Sequence, residues 1–315
     1  RDWAGAAEAR QRRRQSLGAE LGEALAEAAR LRSEGDVATA RARYFEIATQ
    51  AVGSTHNFDI LERALAECPP GPADAETRRA LGGALGAIVD RCRYGACPFS
   101  RPVLRRLGRL AGEDDPPTAG QVALLAGDLD RAREFERALE SAASSEGGAV
   151  WTSAWAPYLI AKAENAAARG EGDRAWEAIT LLPSSEMNRP LALRALAATA
   201  RARRDAATEG VARARLAASA ATNWPATHWV EHKGHFRQEI YVANAAAGLA
   251  VDVGSTVEAG ALAELWVDGS VLGTFPAQAG GLLTLRAPLA AGLHLVEVVP
   301  IGGQVVPSTL RLLDP

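Results

Sequence analysis

Three histidines and one glutamate fall within the eight-residue segment HWVEHKGH, residues 228–235. If this segment were helical, His228 and His232 would share a face, because residues four apart lie on one side of a helix. His235 would then supply a third nitrogen, which completes the ligand set of a catalytic zinc site with one open position. Glu231 is the candidate base of such a site. The pattern therefore raises the hypothesis of a metal-dependent hydrolase.

Two features of the same segment argue against that hypothesis. The HExxH signature of zinc hydrolases is missing. Pro225 and Gly234 also limit any helix between them to about two turns. Imidazoles in such a connector are explained more simply as exposed or hydrogen-bonded to a neighbouring domain. We therefore expect no metal and no other cofactor.

The three cysteines raise a question of redox chemistry. Cys92 and Cys97 stand on either side of a glycine-containing turn in CRYGAC, whereas Cys68 precedes PPGP at a predicted helix end. This spacing predicts a Cys92–Cys97 disulfide in an oxidising compartment, with buried thiols as the alternative. A structural zinc site is disfavoured, since it needs four ligands and no CxxC pair is present.

Other enzyme motifs are missing or misplaced. The segment GEGDRA matches GxGxxA at Gly170 and Gly172, but it lies in a predicted helix–helix turn, whereas a dinucleotide site needs strand, turn and helix. The sequence contains neither the GK[ST] of a phosphate-binding loop nor a GxSxG nucleophile elbow. We therefore expect a protein that is not an enzyme.

Composition narrows the classes of partner. The chain has 315 residues, enough for about two domains. Its formal net charge of −3 gives no support to nucleic-acid binding. No run of 18 apolar residues is present, so we expect no membrane span. The basic run RQRRR at residues 10–14 predicts a solvated helix face, with contact to an acidic partner as the alternative.

The first two thirds of the chain are predicted to form helix pairs. Glycine permits a tight turn, a small residue after it allows the next helix to approach closely, and apolar residues four and seven positions further on share its face. Three stretches show these spacings, the second with a glutamate at the first apolar position: Gly35 with Ala40, Tyr44 and Ile47; Gly127 with Ala132, Glu136 and Leu139; and Gly170 with Ala175, Ile179 and Leu182.

These spacings resemble tetratricopeptide repeats. The resemblance implies an α-solenoid over residues 1–221, with a concave groove that binds a peptide or protein segment. The intervals between the turn glycines are irregular, which departs from the family's pattern.

After a predicted linker at 222–236, the pattern changes to strands. We predict seven of them in a domain at 237–315: residues 238–243, 249–253, 262–267, 270–274, 282–286, 293–299 and 309–313. Asp268-Gly269 between two apolar runs predicts a hairpin, because a type I′ turn requires positive φ. Seven short strands favour a small antiparallel β-sandwich. We expect Trp224, Trp229 and Trp266 to pack between the two domains.

The hairpin region resembles the PEGA family, small β-sandwiches of bacterial envelope and regulatory proteins. The resemblance covers about residues 262–313 and rests on Val267, Asp268, Gly269, Gly273, Thr274, Pro276, Gly292, His294, Val296 and Val298. Glycine and aspartate at these positions shape turns, and His294 is expected to be a packed histidine. A general immunoglobulin-like fold, or a carbohydrate-binding sandwich that presents Trp266, is the alternative.

Together these features predict a multidomain α and β protein with an N-terminal α-solenoid and a C-terminal antiparallel β-sandwich. We expect a non-enzymatic scaffold of the bacterial cell envelope, periplasmic or extracellular, that binds a protein or peptide. Polysaccharide or another envelope component is the alternative ligand. A cytoplasmic regulatory segment of a larger signalling protein is the alternative function.

Overall fold

The computed structural model describes residues 3–55, 57–111, 116–146, 155–221, 223–225, 229–232, 234–257, 261–277, 281–301 and 303–313. Helices precede strands along the chain, as the sequence predicts. The helices are α1 (Trp3–Ser33), α2 (Val37–Gln50), α3 (Phe58–Glu67), α4 (Ala75–Tyr94), α5 (Arg101–Ala111), α6 (Pro116–Leu125), α7 (Leu129–Glu146), α8 (Ala156–Ala168), α9 (Gly172–Thr180), α10 (Pro190–Ala202) and α11 (Ala206–Ala218). A π-helical turn, Ala51–Thr55, follows α2. Among the described helices, none has both the length and the apolar character needed to cross a membrane.

The strands form two antiparallel sheets. They are β1 (Asn223–Trp224), β2 (Val230–His232), β3 (His235–Val242), β4 (Gly248–Val257), β5 (Leu262–Val267), β6 (Ser270–Pro276), β7 (Leu282–Leu285), β8 (Gly292–Ile301) and β9 (Val305–Leu313). One sheet has the order β1-β9-β4-β7 and the other β2-β3-β8-β5-β6. Each of the seven predicted strands coincides with one of β3–β9, while β1 and β2 lie in the segment predicted as a linker.

The chain divides into two compact units. One consists of Ser16–Arg213, and the other, which we call the strand unit, consists of Arg1–Gln15 with Ala214–Pro315. Each unit has a buried apolar core of its own. In the first unit, alanines are frequent among the fully buried residues, for example Ala28, Ala40 and Ala64. Small side chains allow the close approach of helices that the sequence predicts.

Four helix–helix turns share one backbone geometry. Each has a residue with left-handed φ at its centre: Gly35 (φ 89°), Gly127 (67°), Gly170 (75°) and Arg204 (61°). In each turn the N–H of the next residue reaches back five positions to a carbonyl, as from Asp36 to Leu31 O and from Asp205 to Ala200 O. This is the Schellman ending, in which the last free carbonyls of a helix find donors.

An acidic residue follows the left-handed residue in all four turns, and it also begins the next helix. The side chains of Asp36, Asp128 and Asp205 each accept a hydrogen bond from a backbone N–H three positions ahead. Such N-caps satisfy one of the free donors at a helix start. Glu171 occupies the same position without a side-chain cap. In these turns the left-handed residue ends one helix, and the acidic residue that follows it starts the next.

The apolar residues predicted to follow the turns are buried where their side chains are described, whereas Glu136 after the second turn is only half-buried. Ala40, Tyr44 and Ile47 after the first turn are at most 1% exposed. Ala175 and Ile179 after the third are fully buried, and Ala132 after the second is 3% exposed. The side chain of Leu139 lies outside the described residues. The helical period read from the sequence therefore identified the packed faces.

The two sheets contribute to one apolar cluster in the strand unit. Leu249, Val251 and Leu310 come from the four-stranded sheet, and Ile240, Leu265, Val296 and Val298 come from the five-stranded sheet. Alternate residues along each strand enter this cluster, as strand geometry requires.

Candidate functional site

A groove of about 600 Å³ opens in the unit Ser16–Arg213. Its walls come from the end of α1, the first residue of α2, the end of α3 and the first turn of α5. The lining residues are Arg32, Val37, Leu65, Ala66, Glu67, Cys68, Pro69, Pro70, Pro102, Val103 and Arg106. Most of these side chains are apolar, and two of them carry a guanidinium group.

The floor of the groove exists because α3 ends abruptly at Glu67. Cys68 is the C-cap and has extended backbone angles, φ −61° and ψ 127°. The residue before a proline is pushed out of the helical region, and here Pro69 and Pro70 follow. The chain therefore leaves the helix axis at Cys68, and the helix end faces the groove.

Arg106 closes that helix end. Its Nη1 donates to Leu65 O at 2.9 Å and to Cys68 O at 2.6 Å. Its Nη2 donates to Pro69 O at 3.0 Å and lies 3.0 Å from Cys68 Sγ. A cation at a helix C-terminus satisfies free carbonyls and is favoured by the helix dipole. The guanidinium also lies 5.6 Å from the centre of the Phe45 ring, within the range of a cation–π contact.

Two further arginines donate to the same chain segment. Arg32 Nη1 lies 2.6 Å from Glu67 O, and Arg41 Nη1 lies 3.0 Å from Pro70 O. The hydroxyl of Tyr44 donates to Glu67 Oε2 at 3.1 Å. These contacts fix the backbone from Glu67 to Pro70, so the groove has a rigid polar floor.

Cys68 in this floor is not set up as a nucleophile. Burial raises the pKa of its thiol above the ordinary value, and the neighbouring Arg106 only partly opposes that rise. A thiol with a raised pKa stays protonated at neutral pH, and the thiolate is the reactive form.

The apolar part of the groove lining includes an exposed valine. Val37, at the start of α2, is 46% exposed and lines the groove. Val103 and Leu65 also line the groove and are buried.

Half-buried carboxylates elsewhere in this unit hold helices together. Glu164 on α8 accepts from Arg93 on α4 at 3.3 Å and from Arg194 on α10 at 2.9 Å. Glu136 on α7 accepts from the Tyr158 hydroxyl at 2.5 Å and pairs with Lys162 at 2.9 Å. Burial, together with the hydrogen bond to Glu136, raises the pKa of Tyr158. These groups have structural partners on other helices.

The histidine segment is a strand hairpin where it is described. Val230–His232 is β2, and His232 pairs with His235 at the start of β3. The helical spacing that would unite His228 and His232 therefore does not apply to residues 230–232. His228 itself lies outside the described residues, as does the side chain of His232. Within the described residues, no group of three or more metal-ligating side chains could hold an ion.

A disulfide joins Cys92 and Cys97, the pair that the sequence singled out, with an S–S distance of 2.09 Å. Cys92 lies in the last turn of α4, and Cys97 in the segment before α5. Arg93, next to Cys92, donates to Gln121 Oε1 at 3.0 Å and to Pro157 O at 3.0 Å. The bridge therefore lies beside the polar network that links α4 to α6 and α8.

The three tryptophans have described contacts inside the strand unit. Trp224 is buried in its apolar core. Trp229 packs against that core and donates to Ser308 O at 2.7 Å. Trp266 is 4% exposed and donates to Glu264 Oε2 at 3.2 Å. The burial of Trp266 argues against an indole that stacks on a sugar, while packing of all three between domains stays a prediction.

The groove is not predictable from the sequence, because its polar floor depends on residues from three helices. The nearest signal was the CPP sequence at residues 68–70, which predicts a helix end. It gave no indication that Arg106 caps that end. Comparison with protein-family models and with curated proteins finds no match for this chain.

Proposed function

We propose that this protein is a non-enzymatic scaffold that binds a protein or peptide segment in the groove beside Cys68. We infer further that the helix pairs are tetratricopeptide-like and stack as a solenoid, and that the strand unit is a PEGA-like sandwich. The repeated turn geometry supports the inference that the helix pairs are tetratricopeptide-like. From Gly170 to Arg204 the turn recurs after 34 residues, the tetratricopeptide period.

One observation carries the binding proposal: a largely apolar groove of about 600 Å³ whose lining includes two arginines and a half-exposed valine. Ligand pockets of this size are largely apolar, with a few fixed polar groups that set orientation. Here the arginines already donate to backbone carbonyls, so the floor is ordered before a partner arrives. A preformed site lowers the entropy cost of binding.

The proposed address is the bacterial cell envelope, outside the cytoplasm. The bond between Cys92 and Cys97 supports it, since disulfides persist in oxidising compartments and are rare in the cytosol. A cytoplasmic regulatory role would instead require both cysteines as thiols.

The groove is tested by comparing two exposed valines. Val37 lines the groove, whereas Val211 on α11 is 54% exposed and lies outside it. The full chain, immobilised on a support, should capture a partner. The variant Val37→Glu should fail to capture this partner, whereas the variant Val211→Glu should still capture it. Equal capture by both variants, with helical circular dichroism intact, would reject the groove as the binding site.

A further inference from the structure

The five-stranded sheet has a second face, turned away from the apolar core, which we call the outer face. On β5, Ala263, Leu265 and Val267 enter the core. Because side chains alternate along a strand, Glu264 and Trp266 lie on the opposite side. Both are nevertheless buried, at 3% and 4% exposure.

The outer face is acidic and aromatic. Trp266 is directly opposite Glu297 on β8, and Glu297 is opposite Arg237 on β3. Glu297 Oε1 pairs with Arg237 Nε at 2.9 Å. Glu264, by contrast, has its cationic partners outside the sheet. An ionised carboxylate at 4% side-chain exposure needs such a partner, since burying an unpaired charge is costly.

The partners of Glu264 are two arginines of α1 in the same unit. Arg10 Nε lies 3.1 Å from Glu264 Oε1, and Arg14 Nη2 donates to the same oxygen. They are four positions apart, so both project from one helix face. The outer face is therefore occupied by a basic helix that presents paired arginines.

Residues 8–14 of α1 contact the sheet through few described groups, chiefly the guanidinium groups of Arg10 and Arg14, and the Arg14 side chain is 18% exposed. Each residue from Glu8 to Arg13 is exposed, and the Arg10 side chain is 48% exposed. On the sheet, the buried hydroxyl of Thr274, opposite Glu264, has no hydrogen-bond partner within the described residues. The surface thus offers a polar group that the present occupant does not use.

We propose that the outer face is a binding surface for an arginine-bearing helix, and that residues 10–14 of α1 occupy it in competition with a partner. The partner would present two arginines four residues apart on one helix face. One would meet Glu264, and the other would lie near Trp266 and Thr274. This surface is separate from the groove beside Cys68 and does not depend on the function proposed for it.

A charge reversal with a matched control tests the proposal. Arg10→Glu/Arg14→Glu removes the occupant's contacts, whereas Arg12→Glu/Arg13→Glu makes the same change of charge at exposed positions that do not contact Glu264. The probe is a fluorescein-labelled synthetic peptide with the sequence of residues 3–18, measured by anisotropy against the full chain.

We expect the Arg10/Arg14 variant to bind the peptide at least about tenfold more tightly than the unmodified chain, since a tethered occupant competes at high effective concentration. The Arg12/Arg13 variant should match the unmodified chain. Adding Glu264→Gln to the Arg10/Arg14 variant should remove the gain.

Equal peptide affinity of the Arg10/Arg14 and Arg12/Arg13 variants would overturn the proposal. So would a gain that survives Glu264→Gln. If charge reversal lowers the helical circular dichroism, Arg10→Gln/Arg14→Gln against Arg12→Gln/Arg13→Gln makes the same comparison without introducing acidic groups.

Discussion

Asp268 and His294 are joined at one end of the five-stranded sheet, with Asp268 Oδ2 2.8 Å from His294 Nδ1. Asp268 Oδ1 accepts from Leu295 N at 2.9 Å, and Asp268 N donates to Leu295 O at 2.9 Å. Asp268 and Gly269 have φ of 52° and 71°, as a type I′ turn requires. The aspartate therefore shapes the β5–β6 turn and fastens it to β8.

This pair makes stability depend on pH. His294 Nε2 also lies 2.9 Å from Ala290 O, so both ring nitrogens face acceptors. Burial acts to lower the pKa of His294, but the hydrogen bonds to Asp268 and Ala290 and the charge of Asp268 outweigh it, and the pKa is raised. The protonated ring thus stabilises the folded state.

That contribution is fully present below the unfolded pKa of about 6.5 and is lost as pH rises through the raised folded value. We expect the free energy of unfolding, from urea titrations, to fall more over this interval in the unmodified chain than in His294→Gln. Parallel curves for the two proteins would contradict the assignment. NMR titration of His294, with Asp268→Asn as control, should show the pKa fall when the carboxylate is removed.

Replacing Arg204 with glycine should stabilise the protein by about 0.5–1 kcal/mol, the strain relieved less the chain entropy that glycine adds. Arg204 has φ of 61° at a position where the other three turns have glycine. Left-handed φ strains a residue with a Cβ atom, and glycine relieves the strain. Gly170→Ala, at the equivalent turn, should be destabilising. Thermal melts of both variants measure whether each substitution raises or lowers the stability. A loss of stability in Arg204→Gly would refute the argument.

Gly172→Ala should destabilise the chain by about 1–3 kcal/mol. A Cβ atom at this position would lie 2.8 Å from the carbonyl carbon of Ala202 and from the nitrogen of Arg203, and backbone atoms cannot rotate away. Gly210→Ala is the matched control, because nothing lies within 4 Å of its added Cβ and alanine favours helices. Chemical denaturation should show a lower free energy of unfolding for Gly172→Ala and a higher one for Gly210→Ala.

Removing the Arg106 guanidinium should cost about 2–3 kcal/mol. In Arg106→Met, the carbonyls of Leu65, Cys68 and Pro69 lose a charged donor. Arg105→Met, one residue earlier and exposed, should have little effect. Unfolding by urea distinguishes them; similar stability of the two variants would mean that Arg106 does not hold the groove floor.

Thiol counting tests the proposed compartment. Protein unfolded without reductant should titrate one thiol per chain, from Cys68, and three after reduction. Three thiols without reductant would favour the cytoplasmic alternative. Loss of the bridge in Cys92→Ser/Cys97→Ser should lower the free energy of unfolding by about 2 kcal/mol, the loop-closure expectation for so short a loop.

The sequence predicted the helices and strands better than it predicted the side-chain contacts between them. The run of alternating residues around Asp268-Gly269 predicted a hairpin, and the hairpin is present. The turn at Arg204 was missed, because arginine is not a turn residue; the available signal was Asp205, a good N-cap with Thr208 three positions later. Strands β1 and β2 were missed because they are short, and β1 pairs with distant β9.

What the sequence determined by itself is local: the order of helices and strands, the turn residues and the faces that become buried. These follow from periodicity and backbone preference within a few residues. Only the tertiary structure decided which polar groups meet. Arg10 reaches Glu264 across 254 positions, and Arg106 reaches Leu65 across 41. A guanidinium is recognised by any carboxylate or helix end that packing brings near it, so its partner is fixed by the assembled fold and not by its neighbours in sequence.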